Sequence, residues 1–309
     1  TLGRAGCAAN LCAGGGRIGG RDRTKAEGEL AVTHVAAIQM TSCANVARNL
    51  AVAGELLRQA RAQGAVVAVL PENFAFMGRG EADKLAIAEA HGSGPIQAFL
   101  AEQARMHSLW IVGGTIPLKL PDEPRVAAAC LVFDDAGREV ARYDKIHLFD
   151  VDVPGKLESH RESKAVRPGT KVVTVDTPVG RLGLAVCYDV RFPELFRELL
   201  QQGAEWFTLP SAFTVPTGRA HWELLLRTRA VENLCYLVAA AQSGFHESGR
   251  ETHGDSMIVE PWGRVLARLP RGTGVITAEL DLARQRRLRQ DFPAVGHRRL
   301  AVTAPRQES

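Results

Sequence analysis

The chain has 309 residues, 46% of them hydrophobic, which is enough for one large α/β domain or two small ones. A formal charge of +4 and 6% aromatic content argue against a nucleic-acid groove, which needs a basic face with stacking aromatics. No apolar run reaches the roughly 18 residues of a membrane-spanning helix.

Residues 1–33 are rich in Gly, Ala and Arg with little apolar periodicity, so a disordered N-terminal extension is expected there, ahead of one domain over 34–300 and a short tail over 301–309. The extension lacks the apolar core of a secretory signal. Its arginines leave an organelle transit peptide open, but Asp22, Glu27 and Glu29 and the absence of a starting Met fit an added or upstream segment equally well. Strand-like runs follow at 35–40, 65–70, 109–115, 127–133, 171–175, 182–186, 206–209 and 235–242. They alternate with helical runs at 45–63, 95–106, 193–202 and 220–233, the pattern of layered α/β packing, and no low-complexity linker divides 35–300.

Three of the strand ends carry reactive side chains. The continuous apolar run 65–70 suits a parallel strand buried on both faces, and it stops at Pro71-Glu72-Asn73, placing Glu72 just past its carboxyl end. A second run alternates from Glu139 after the turn at Asp134-Asp135-Ala136-Gly137 and ends at Lys145. A third leads from Gly180 to Val186 and delivers Cys187 to the start of a helix that Pro193 and Glu194 can open. A sharp turn at Cys187 would hold its sulfur clear of the sheet, beside backbone N–H groups. Ligands in α/β proteins gather at such strand ends, so the three side chains can face one crevice. Taken singly, Cys187 reads as a core cysteine, and Glu72 and Lys145 as solvated charges.

Together they form a chemical set. A thiol of pKa about 8.5 is mostly protonated at neutral pH, so a carboxylate must take its proton or a cation must stabilise the thiolate. Glu72 can do the first and Lys145 the second. When sulfur attacks a carbonyl carbon, Lys145 and the N–H of Tyr188 are placed to stabilise the oxyanion. An amine leaving group needs a proton, which Glu72 can return.

At this point the chain resembles the nitrilase superfamily of carbon–nitrogen hydrolases, whose signature is a Glu-Lys-Cys triad in this order. The motifs are VLPEN around Glu72, RYDKIHLFDVDVPG around Lys145, GLAVCYDVRFPEL around Cys187, then LPSAF, AHWELLLRTRAVEN and HGDSMIVEPWGRVLA. The resemblance covers about residues 35–300 and implies a four-layer α-β-β-α sandwich, and dimers or higher homo-oligomers joined through sheet-flanking helices. It implies that Glu162 is a second glutamate beside the triad, which places the lysine and the attacking water; the polar run 158–164 by itself would make Glu162 a surface charge. The wording is most similar to the branch of amidases that hydrolyse deaminated glutathione, including nitrilase-like partners fused to a histidine-triad protein. ω-Amidases acting on α-ketoglutaramate share much of it, and a carbamoylase or an aliphatic nitrilase stays open. Nitrile hydrolases of the superfamily usually have Trp after the cysteine, whereas this chain has Tyr188, so an amide substrate is expected.

The implied mechanism is acyl transfer through a Cys187 thioester, releasing a carboxylic acid and ammonia or an amine, with no metal or organic cofactor. Arg191 is a candidate for binding a substrate carboxylate, or else an ion-pair partner of Glu194 or Asp189. Tyr188, Phe213 and Thr217 are candidates for the pocket wall. The six cysteines, at 7, 12, 43, 130, 187 and 235, show no paired metal spacing, and a reduced cytoplasm suits them. No HExxH-type pair occurs among the nine histidines, and His221 reads as a hydrogen-bonded structural residue. The arginines at 284, 286, 287 and 289 read as a solvated or interface face. Outside the amidase class, a non-catalytic scaffold need not keep the triad, and a papain-like peptidase would need a histidine base.

Overall fold

The computed structural model describes residues 33–152 and 159–300. The extension read over 1–33, apart from Thr33, and the tail over 301–309 lie outside the described residues, as do Cys7 and Cys12. The strands in chain order are β1 Thr33–Gln39, β2 Ala65–Val69, β3 Trp110–Val112, β4 Ile116–Leu120, β5 Glu123–Phe133, β6 Glu139–Asp144, β7 Asp150–Asp152, β8 Ser159–Arg161 and β9 Thr174–Thr177. They continue as β10 Gly180–Leu184, β11 Trp206–Ser211, β12 Tyr236–Ala241, β13 Ser243–Phe245, β14 Glu251–His253, β15 Ser256–Val259, β16 Val265–Leu269 and β17 Gly274–Leu280. The helices are α1 Val46–Ala62, α2 Pro95–His107, α3 Pro193–Gln201, α4 Val215–Asn233 and α5 Leu282–Asp291.

One sheet runs β17-β1-β2-β3-β5-β4, with β6 also on β5, and the other runs β16-β15-β12-β11-β10-β9. Each has a parallel centre, β1-β2-β3 in the first and β10-β11-β12 in the second, flanked by antiparallel strands. Alternation along β1 decides the layering. Val35 and Ala37 pack in the core that also holds Leu182, Leu184 and Trp206 of the second sheet, whereas Ala36 and Ile38 pack with Ala53 and Leu57 of α1 and Leu100 of α2. On the second sheet, Phe196 of α3 and Trp222 and Leu226 of α4 join the first of these cores. The order is helix, sheet, sheet, helix, the expected four-layer α-β-β-α sandwich.

Local chemistry explains the boundaries. Asn45 caps α1 by accepting from the Arg48 N–H, and Asn49, Ala53, Leu56, Leu57 and Ala60 form its buried stripe. Helix α4 begins five residues before the predicted 220, because Pro216 lacks only an N–H that a first helical turn leaves unpaired anyway. Strands β15 to β17 and helix α5 were not among the sequence expectations. Only Leu282 and Gln285 of α5 are buried, so it shows no apolar stripe. Three of the four clustered arginines tether α5 rather than forming a free face: Arg284 pairs with Glu260 at 2.8 Å, Arg286 with Glu205 at 2.7 Å, and Arg289 donates to the Leu234 carbonyl at 3.0 Å.

The two sheets meet at their carboxyl ends. Met40, just past β1, bridges Gln242, just past β12, with the Met40 N–H donating to the Ala241 carbonyl and the Ser243 N–H to the Met40 carbonyl. Among the described residues no helix is long and apolar enough to cross a membrane.

Candidate active site

Cys187 stands on a strained turn. After β10 the chain stays extended through Val186 (φ −133°), then Cys187 takes φ 48°, a left-handed conformation uncommon for a residue with a side chain. A 3₁₀ turn, Cys187–Arg191, follows, and Pro193 opens α3. Asp189, fully buried, holds this turn in place. Its carboxylate accepts from the Val186 N–H (2.8 Å), the Tyr143 hydroxyl (2.7 Å), the His147 N–H (3.1 Å) and His147 Nδ1 (2.7 Å). Tyr143 and His147 flank Lys145 in sequence, so one carboxylate ties the cysteine turn to the lysine segment. The His147 ring is itself stacked on Phe192, with centroids 3.7 Å apart.

Lys145 leaves the end of β6 and is 1% exposed. Its Nζ donates to Glu72 Oε1 and to Glu162 Oε2, both at 2.8 Å. Glu72 follows β2, next to Asn73 in a left-handed conformation (φ 58°), and its own carbonyl accepts from Gln242 Nε2 at 3.0 Å. Glu162 sits in a 3₁₀ turn, Glu162–Lys164, and the oxygen that takes Lys145 also accepts the Phe149 N–H at 2.8 Å. Both carboxylates are buried. One ammonium between two carboxylates leaves the cluster with one net negative charge.

That charge sets the protonation states. Burial alone would push the Lys145 ammonium down, but Glu162 and Glu72 outweigh it and hold its pKa well above the usual range. Burial likewise works to raise Glu72, and Lys145 overrides it, so Glu72 stays ionised. The Cys187 thiol is pushed far up, first by burial and then by the negative charge of Glu72, with Lys145 opposing. Cys187 therefore rests as a thiol in the same cavity as an ionised carboxylate, so proton transfer to Glu72 must accompany attack by sulfur.

Glu72, Lys145, Glu162 and Cys187 line one narrow cavity of about 30 Å³, together with Tyr188, Phe213 and Thr217. Arg191 is not among its lining residues. Its guanidinium lies 5.7 Å over the Tyr188 ring and 5.4 Å over that of Phe213, and bonds to His221 Nδ1 at 3.2 Å. Neither Asp189 nor Glu194 is its ion-pair partner, since Asp189 is taken up by the turn. Sequence reasoning missed Asp189 and His147, which no reactive-residue pattern marks, and two cations on the cavity wall, Lys84 and Arg250. Cys43, Cys130, Cys187 and Cys235 are all unpaired thiols.

Residues 34–290 match the carbon-nitrogen hydrolase family, and the chain belongs to it. It is an amidase-type carbon–nitrogen hydrolase. Among its relatives, the deaminated glutathione amidase of Synechocystis is 44% identical over 267 residues, covering 85% of this chain and 97% of that protein. The Homo sapiens deaminated glutathione amidase is 42% identical over 269 residues, covering 86% of this chain and 82% of its own. Among solved structures, the C. elegans NitFhit protein superimposes with a TM-score of 0.81 at 40% identity; the alignment takes in 87% of this chain but only 65% of that fusion protein.

Proposed function

We propose that this chain is a thiol-dependent amidase for small carboxylate-bearing amides, with deaminated glutathione as the favoured substrate. The observation that carries the reading is the buried Lys145 shared by Glu72 and Glu162 in the cavity that holds Cys187. The names of the relatives at 42–44% identity support the substrate.

Cys187 Sγ attacks the amide carbon while its proton passes to Glu72. The carbonyl oxygen gains negative charge, which the Lys145 ammonium and the Tyr188 N–H stabilise. Glu72 then protonates the amide nitrogen, the C–N bond breaks, and an amine leaves, or ammonia from a primary amide. The remaining thioester is cleaved by water that Glu72 deprotonates and Glu162 helps to position, releasing the carboxylic acid and the Cys187 thiol. Tyr188, Phe213 and Thr217 shape the acyl pocket, and Arg191 is a carboxylate contact at its edge. No step calls for a metal or cofactor.

The catalytic unit is a single hydrolase domain over 34–300. It works as a homodimer or higher homo-oligomer: Leu224 and Val231 of α4, with the neighbouring Trp262, leave 66%, 44% and 56% of their surface exposed on an outer face. The unpaired thiols suit the cytoplasm.

The test is release of acid and amine from deaminated glutathione, α-ketoglutaramate, a simple aliphatic amide and an aliphatic nitrile, with Cys187→Ala as control. Cys187-dependent turnover led by deaminated glutathione is expected. A lead for α-ketoglutaramate would move the chain to the ω-amidases, and no turnover at all would favour a scaffold.

A further inference from the structure

The cavity wall carries a cation that no side chain neutralises. Arg250 lies between β13 and β14 and lines the narrow cavity. Its Nη2 donates to the Ala212 carbonyl at 2.7 Å, while its Nε is buried with no hydrogen-bond partner. Among the described residues no carboxylate lies within ion-pair distance of it. The adjacent Glu251 faces Arg271 at 3.7 Å, and Glu81, on the same wall, is held by Lys84 Nζ at 2.7 Å. Arg250 acts on Glu81 only from a distance: with burial opposing, Lys84 and then Arg250 hold that carboxyl down to about 2. A buried guanidinium N–H left unpaired is costly, and such a group in a native site calls for a missing acceptor.

The position of Arg250 says what that acceptor is attached to. Glu81, Lys84 and Arg250 also line a wider groove of about 670 Å³, so they stand where the narrow cavity opens. Two exposed cations, Arg79 and Arg219, line the groove as well. The Glu72–Lys145–Glu162 cluster carries one net negative charge, and Lys84, Glu81 and Arg250 together carry one net positive charge. An amide whose carbonyl enters toward Cys187 is thereby favoured when an anionic group trails toward the mouth.

We propose that Arg250, with Lys84 beside it, binds a carboxylate of the substrate at the mouth of the cavity and so selects amides that carry a carboxylate away from the scissile bond. This rests on the amidase reading above and assigns its specificity to a residue outside the triad. The planar guanidinium offers two parallel donors to a carboxylate, which lysine cannot reproduce in full.

The test compares glutaric acid monoamide with valeramide, a neutral amide of the same chain length, in wild type, Arg250→Met and Arg250→Lys. Arg250→Met is expected to lower kcat/KM for the monoamide about 100-fold, mostly through KM, and for valeramide at least tenfold less, with Arg250→Lys recovering part of the loss. Equal losses on both amides would overturn the proposal and leave Arg250 as a prop for the Ala212 carbonyl. Glutarate binding to Cys187→Ala, by calorimetry with and without Arg250→Met, is independent of turnover. Binding that Arg250→Met abolishes supports the site, while binding that is absent or unchanged overturns it. If wild type cleaves no amide, the amidase reading fails alone and the calorimetry still decides Arg250.

Discussion

Exchanging Glu162 for glutamine removes a charge while keeping a shape. The same oxygen accepts from Lys145 Nζ and from the Phe149 N–H, and a glutamine carbonyl oxygen can take both bonds. What disappears is one negative charge near Glu72. Two carboxylate oxygens that each lie 2.8 Å from one Nζ are at most roughly 6 Å apart, and at an effective dielectric of about 20 their repulsion is about 3 kcal/mol. That repulsion supports the proton affinity of Glu72. Without it Glu72 is the sole anion paired with Lys145 and a weaker base toward the Cys187 thiol, so kcat/KM should fall about 100-fold. The acid limb of the pH–rate profile should move to lower pH, because Glu72 then protonates only in more acid solution. The alkaline limb, where Lys145 loses its proton, should also move down, since one of the two anions that hold it raised is gone. Steady-state assays near pH 7, with a melting curve to establish folding, measure the rate loss, and assays at the acid and alkaline extremes at which the protein stays folded show the direction in which each limb moves. A variant within threefold of wild type with unmoved limbs would refute this account of the cluster.

Asp189→Ala strands the Val186 N–H, the Tyr143 hydroxyl and His147 in the interior, and should cost about 3 kcal/mol or more, read as a lower urea midpoint. Stability should also fall in alkali. Burial pushes the thiols of Cys130, Cys187 and Cys235 up, that of Cys235 to about 12 against the pull of Arg289, whereas unfolded thiols titrate near 8.5. The unfolded chain thus releases these protons first, and the native state loses about 1.4 kcal/mol per thiol for each pH unit above about 8.5. Urea midpoints at pH 8 and 10 should show the decline, with a shallower slope in Cys130→Ala. Leu224→Glu combined with Trp262→Glu should lower the assembly mass in light scattering; an unchanged mass would remove this face from the oligomer contact.

The elements that sequence exposes are those whose buried faces obey a period. Helix α1 and strands β2 and β12 fall within two residues of expectation, because continuous apolar runs and an Asn cap mark them. Strands β16 and β17 are half-buried without clean alternation, and α5 is held mainly by arginine tethers, so neither type carries a hydrophobic signature. The site divides the same way. Glu72, Lys145 and Cys187 were legible because each ends a strand, and Glu162 only through resemblance, since its segment is polar throughout. Asp189 and Arg250 matter through partners 42 or 46 residues away in one case and 38 in the other, distances over which spacing rules say nothing.

Glu72 and Lys145 hang from the first sheet and Cys187 from the second. The reactive group therefore does not exist in either half of the molecule taken separately. Catalysis becomes a gauge of docking between the sheets: a state in which both keep their strands but part from one another would retain most backbone hydrogen bonds and no activity. For this protein, turnover should vanish before secondary structure does during unfolding, and two complementary fragments should recover it only on assembling.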